Sequence, residues 1–323
     1  MQILASTIIK RVHSAVLTLL ALVFCASSGH ARTLRVFAVG NSFSGNATAY
    51  LPQLAKAGGH ELILGTAQTG GCSLERHWKA AEAELANSGS KEAKIYGGKS
   101  LTEIISKGDW DVVTIQQYSL HSSDIETYRP YARKLHDHLR TLQPGAEIVL
   151  HQTWAYRSDA SRFGRVGAEK HAASQQEMWE RSRAAYRQIA GDLGARLIPV
   201  GDAFWRVDSD PKWGYKPDAN YDFKNPVFPT LPDQNTSLHV GYRWSADRKL
   251  SKDANHANAA GQYLGGLVWY GCLFRESTEN LTFVPAGLSP EFAAHLRKVA
   301  WQVVQEVAPK NSAKDAQEKS PGR

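Results

Sequence analysis

Cysteine is scarce in this chain, three residues in 323, and no C-x-x-C occurs, so no thiolate pair is offered to a zinc or redox centre. The close histidine pair in His136-Asp137-His138 has i, i+2 spacing, which on a helix points the two rings to different sides. No metal site and no cofactor are expected. No internal repeat is visible. The apolar run Ala15–Cys25 is short for a membrane span of about 20 residues. A basic stripe is missing as well. The formal net charge is +7, yet Lys and Arg interleave with Asp and Glu along the chain, which describes a solvated surface and gives no footprint for nucleic acid.

What is present begins with an address. Lys10 and Arg11 precede the Ala15–Cys25 run, and Ser27-Ser28-Gly29-His30-Ala31 supplies small residues for cleavage, so residues 1–31 read as a signal peptide. The mature chain is expected in the periplasm or outside the cell, with no stable membrane anchor. Cys72 and Cys272 then remain in a compartment that permits a disulfide. Whether they pair depends on the approach of their β-carbons, which spacing leaves open. With 42% apolar and 10% aromatic residues, the chain can bury a full core. A single domain is expected over 32–308. Residues 309–323 hold no large apolar side chain and read as a disordered tail.

Short runs rich in Val, Ile and Leu recur at Leu34–Val39, Glu61–Thr66, Asp111–Ile115, Glu147–His151 and Arg196–Val200. Longer periodic segments separate them, among them Pro130–Leu142 and Ser174–Ala190. Strands alternating with helices predict an α/β fold, a five-stranded parallel sheet between two helical layers. Phe204 to Lys252 breaks the alternation with five prolines and three tryptophans. Its aromatic content predicts an ordered insertion that forms a lid or wall. Trp205, Trp213, Tyr215, Tyr221 and Trp244 are its candidate carbohydrate platform, or else the insertion's own small core. Asp202, after the fifth strand, reads as a spare carboxylate that caps the next segment.

Chemistry is suggested by two distant stretches. Gly40-Asn41-Ser42-Phe43-Ser44 follows the first strand, at the sheet edge where α/β folds bind ligands. It supplies a serine nucleophile, or else a turn in which Ser42 or Ser44 caps a helix. Asp253-Ala254-Asn255-His256 precedes a helical apolar run. A serine hydroxyl needs a histidine to take its proton, and that histidine needs a carboxylate to fix its tautomer. Together the two stretches provide all three groups.

On these residues the chain resembles the SGNH (GDSL-like) hydrolases, from about Leu34 to about Pro309. The resemblance implies a flavodoxin-like three-layer fold and a triad of Ser42, His256 and Asp253. Thr69-Gly70-Gly71-Cys72-Ser73-Leu74 is similar to the family's second block. This implies that the backbone N–H groups of Ser42 and Gly71 meet the oxyanion. Asp111 to Ser119 is similar to the third block, but has glutamine where the main family has asparagine. Gln116, or alternatively Gln117, would have to supply that amide. Asn41 either orients the turn or touches substrate. Trp154 and Tyr156, emerging after the fourth strand, either stack on substrate or plug a loop onto the core.

The expected activity is hydrolysis of short acyl esters, with an acylated carbohydrate or another small ester as substrate. Two alternatives stand beside it: a lipid-directed esterase or lysophospholipase of the same fold, and a non-catalytic polysaccharide-binding protein. The oligomeric state is not indicated by the sequence.

Overall fold

The computed structural model describes residues 31–308. The leader expected over 1–31, except for Ala31, and the tail expected over 309–323 lie outside the described residues. The unit that begins at Thr33 is described here. Strands β1 (Thr33–Gly40), β2 (Glu61–Gln68), β3 (Val112–Ile115), β4 (Glu147–His151) and β7 (Leu197–Ile198) form one sheet in the order β2-β1-β3-β4-β7, all parallel. The fifth strand is shorter than its apolar run, because Pro199 and Val200 already begin a helix. Two small hairpins are added, β5 (Arg165–Gly167) with β6 (Lys170–His171), and β8 (His239–Trp244) with β9 (Leu250–Ala257).

Alternation along the strands feeds two cores. Val36, Ala38, Val112 and Val149 face one layer, while Phe37, Val39, Val113, Ile148 and Leu150 face the other. The first layer holds helices α1 (Ser42–Thr48), α2 (Leu51–Ala57), α7 (Val200–Asp208), α8 (Ala259–Phe274) and α9 (Pro290–Val307). The second holds α3 (Leu74–Ala86), α4 (Leu101–Ile105), α5 (Tyr131–Leu142) and α6 (Gln175–Leu193). Helix α8 is apolar on nearly every face, and it is buried between α1, α2 and α7 on one side and α9 on the other. Among the described residues no helix is long and apolar enough to cross a membrane.

The order places β1 and β3 side by side in the middle, although β2 lies between them in sequence. Connections leave this pair in opposite directions, which opens a crevice at their carboxyl ends. Both the Ser42 turn and the Gln116 segment emerge there.

The aromatic insertion is more regular than its sequence suggests. Phe204–Asp208 continues α7, and the segment from His239 onward forms the β8–β9 hairpin. Between them an irregular stretch is held by Arg157, which is fully buried. Its guanidinium meets Asp159 at 2.7 and 2.9 Å and donates to Gln234 at 3.1 Å and Ser237 at 3.3 Å. It also lies 4.0 Å from the Tyr215 ring centroid. A buried arginine with these partners is fully compensated; a buried carboxylate deprived of its arginine is not. Asp159 keeps Lys252 at 3.7 Å as a second cation, so the Arg157→Met variant is expected to lose about 3 kcal/mol of stability. Denaturant unfolding checks this, and a loss below about 1 kcal/mol would show that the clamp is not holding the insertion.

Candidate active site

The serine turn is built from amides. Asn41 caps α1 by accepting from the Phe43 N–H at 3.0 Å, and it donates to the Cys72 carbonyl at 3.0 Å. Its Oδ1 also accepts from Gln116 Nε2 at 2.7 Å. Gln116 Oε1 in turn accepts from Ser44 Oγ at 2.5 Å and from His151 Nδ1 at 2.9 Å. These partners fix each amide's orientation, since Ser44 and His151 act here as donors. Burial pushes the His151 pKa down to about 3, so the ring is neutral with its proton on Nδ1. Gly40 is required beneath this network. A Cβ there would come within 2.2 Å of Ser44 Oγ.

The residues expected at the serine are brought together. Ser42 Oγ lies 2.9 Å from His256 Nε2, and His256 Nδ1 lies 2.9 Å from Asp253 Oδ2. The other Asp253 oxygen accepts from the backbone N–H groups of His256 at 3.0 Å and Asn255 at 3.2 Å. Burial acts to raise the Asp253 pKa, but the backbone and ring hydrogen bonds of His256 outweigh it and hold the carboxyl below its ordinary range. The ion therefore persists as pH falls through the range where a free carboxylate protonates. Its contribution to stability is present above an unfolded pKa of about 3.9 and is lost only below that.

Asp253 and His256 lie near the end of β9. Residues three apart in a regular strand point to opposite faces. The pairing here steps from Gly241↔Asp253 to His239↔Ala257, so β9 bulges between them and curls His256 back over the carboxylate. Three grips hold the bulge. Arg157 N–H donates to the Ala254 carbonyl at 2.9 Å, Trp154 Nε1 to the Asn255 carbonyl at 2.8 Å, and the Ala257 N–H to Asn46 Oδ1 at 3.0 Å.

Gly71 lies on the loop after β2. Thr69 N–H donates to the Gly40 carbonyl at 3.3 Å, and Asn41 holds Cys72, so this loop is tied to the residues preceding Ser42 at both ends. Gly71 takes φ +59°, the left-handed region in which a side chain would strain the backbone. Ser73 then caps α3, accepting from the Arg76 N–H at 3.2 Å.

Several expectations are corrected. Gln116 is fully buried and engaged with Asn41, Ser44 and His151, so it is a strut beneath the serine turn and not an exposed amide. Gln117 is also fully buried. It accepts from the N–H groups of Leu74 and Tyr118 and donates to Thr127. Asn41 is a buried orienting residue whose amide is engaged by Cys72, Phe43 and Gln116. It, and neither serine, caps α1. Both faces of Trp154 are covered, by Phe43 at 4.2 Å and Phe204 at 4.5 Å between centroids. Tyr156 is buried, with its hydroxyl 3.0 Å from Ser119 Oγ. Neither ring is available for stacking on a sugar.

The insertion's rings pack on protein too: Trp205 on Trp179, Trp213 on Phe292, Tyr215 under Arg157, Tyr221 on Phe223 and Trp244 on Phe228. Asp202 is a tie between elements, accepting from Gln152, Trp179, Arg183 and Arg187. Cys72 and Cys272 are free and buried, and burial pushes both thiols up to about 12. No group of three or more His, Cys, Asp or Glu side chains suited to a metal occurs among the described residues.

The roles of Ser44, Asn46 and His151 were not foreseen. Ser44 stands within the conspicuous Gly-Asn-Ser-Phe-Ser stretch and His151 at a strand's end, but nothing in the sequence says that they meet one glutamine. If Gln116 is a strut, its replacement should act on stability. Gln116→Met leaves the Ser44 and His151 donors and the Asn41 acceptor short of a partner, at about 1–3 kcal/mol for each group left unsatisfied. Thermal unfolding of the variant should show a clear loss; unchanged stability would contradict the strut.

A family model described as a domain of unknown function (DUF4886) matches residues 35–204. Among solved structures, a DUF4886 family protein from Bacteroides uniformis is similar, with 21% identity over 88% of this chain and 99% of that one, and a TM-score of 0.65. That likeness shows the fold. A candidate SGNH hydrolase from Slackia heliotrinireducens (21% identity, 73% of this chain and 97% of that one, TM-score 0.41) is more distant in geometry. So is a candidate GDSL-like lipase from Parabacteroides merdae (13%, 74% and 95%, TM-score 0.42). Comparison with curated protein sequences gives no match.

Proposed function

The chain belongs to the DUF4886 family, and from its site we propose that it is a serine esterase of the SGNH type, exported from the cytoplasm, that hydrolyses short acyl esters. One observation carries the reading: the unbroken chain of hydrogen bonds from Ser42 Oγ through His256 to Asp253, at 2.9 Å for each link. It gives a hydroxyl, a base in the tautomer able to accept its proton, and an ionised group to stabilise the imidazolium that forms.

In the first half-reaction Ser42 Oγ attacks the ester carbonyl and His256 Nε2 takes its proton. The same histidine returns that proton to the leaving alcohol, then activates water to release the acid. Backbone N–H groups of Ser42 and Gly71 face the oxyanion in this scheme. The preference for a short acyl group is supported by the ring stack behind the nucleophile. Phe43, Trp154 and Phe204 are all buried, with Trp154 stacked between the other two, so the residue next to Ser42 is backed by packed rings and not by an open apolar groove. Acetyl esters of carbohydrates are the class we place first. The leader-like N-terminus supports an extracellular or periplasmic substrate of that kind, although the aromatic rings of the insertion lend it no support.

Acetate release from acetylated xylan, acetylated pectin and an aryl acetate tests the reading. Ser42→Ala and His256→Ala should each lower turnover by at least about 10⁴-fold, and Asp253→Asn by a comparable factor. A fluorophosphonate should label the native protein and not Ser42→Ala. Activity that survives in both the serine and histidine variants would refute the mechanism. Silence on every ester, with Ser42 unlabelled, would favour a polysaccharide-binding protein on a hydrolase frame.

A further inference from the structure

With both glutamines buried and committed to protein partners, the segment after β3 still carries the phenol of Tyr118. Tyr118 is only half-buried, and its hydroxyl has no protein partner among the described residues. Its position is set by the loop after β2. Cε2 and Cζ of Tyr118 lie 3.8 Å, and the hydroxyl 4.0 Å, from the point a Cβ on Gly71 would occupy. That loop is the one tied at both ends to the residues preceding Ser42. Tyr118 thus stands against the glycine of the loop that is tied to the serine turn.

The ring is also held in place. Its backbone N–H donates to Gln117 Oε1 at 2.9 Å, and His121 packs edge-on at 5.3 Å between centroids. A phenol fixed in this way, with a free O–H over a glycine in the left-handed region, is a preorganised donor. Donors that need not reorient are the ones that stabilise charge appearing in a transition state.

We propose that the Tyr118 hydroxyl donates a hydrogen bond to the oxyanion beside Gly71, and is a catalytic residue of this site. The inference rests on the serine-esterase reading. As the Ser42 Oγ–carbon bond forms, the carbonyl π pair moves onto oxygen and the serine proton passes to His256. The oxyanion then accepts hydrogen bonds from the Ser42 and Gly71 N–H groups and the Tyr118 O–H. Tyr118 keeps its proton throughout. Collapse restores the carbonyl, the bond to the leaving alcohol breaks, and His256 protonates that oxygen.

Tyr118→Phe removes one O–H and keeps the ring against Gly71. With an aryl acetate as probe, kcat is expected to fall about 10²–10³-fold while KM stays within about twofold, the usual effect of losing one oxyanion donor. Fluorophosphonate labelling should slow in parallel, and the melting temperature should be unchanged. Unaltered kcat and labelling would overturn the proposal. So would a rise in KM alone, which would make Tyr118 a substrate contact. Native protein labelled no faster than Ser42→Ala would remove the esterase reading and this proposal together, whereas fast native labelling matched by Tyr118→Phe would remove only the latter.

Discussion

Much of this site depends on one buried hydrogen bond, from Gln116 Nε2 to Asn41 Oδ1 at 2.7 Å. It joins the ends of the two central strands, β1 and β3, at the point where their connections diverge. Because Gln116 donates there, its carbonyl oxygen is turned towards Ser44 and His151. Because Asn41 accepts there and from Phe43, its own NH₂ is turned towards the Cys72 carbonyl. A single amide orientation thus fixes the serine turn, the first residues of α1 and the loop that carries Gly71. In so dry a setting each of these bonds is strong, and each partner is costly to leave alone. The neutral His151 belongs to the same logic: a cation there would be buried without a counter-ion, and the ring supplies only the donor that Gln116 needs.

The parts of the site that could be read in the sequence were those that reactions or periodicity make distinctive. Ser42 stands out because a small-amide-hydroxyl turn directly follows an apolar run. Asp253 and His256 stand out because their types and spacing suit one another. The central strand runs were visible because a parallel strand buried on both faces must be apolar throughout, whereas β2, at the sheet edge, is only partly buried. Gln116 was misread because sequence gives the chemical type of an amide and not the direction in which its two ends point. An amide at a strand's carboxyl end is equally suited to meeting an oxyanion or bracing a turn, and packing beneath Gly40 decides in favour of the brace. Trp154 and Tyr156 were ambiguous for a similar reason. An aromatic after a strand can face either the crevice or the core, and the covering rings come from Phe43 and Phe204, far away in the chain.

The insertion was legible as ordered but not as hairpin-forming. Its β8 and β9 runs alternate weakly, and the bulge that curls His256 over Asp253 breaks the two-residue period of β9. Strand pairing there is fixed by the partner strand, from Gly241 to His239, which local pattern cannot reveal.

The two halves of the relay are positioned by different means. Ser42 is set by the register of the central sheet. His256 sits on a hairpin that leaves an irregular segment, the kind of element least able to hold a side chain still. Precision is recovered because the backbone at Ala254, Asn255 and Ala257 is gripped separately by Arg157, Trp154 and Asn46. Two of these grips come from the loop after β4 and the third from the helix that begins at Ser42 itself, so the base is referenced directly to the nucleophile. Misplacement by about 1 Å can cost about 10²-fold in rate, and three independent anchors around one histidine are a means of avoiding it. The irregular stretch between α7 and β8 is fastened by Arg157 at Tyr215, Gln234 and Ser237, and it is tied to the same hairpin where Gln234 bonds Tyr242 and where Ser237 and Leu238 accept from Asn258. The base is thus held both from the sheet side and from the insertion, and each of these ties is a backbone or amide bond of fixed direction.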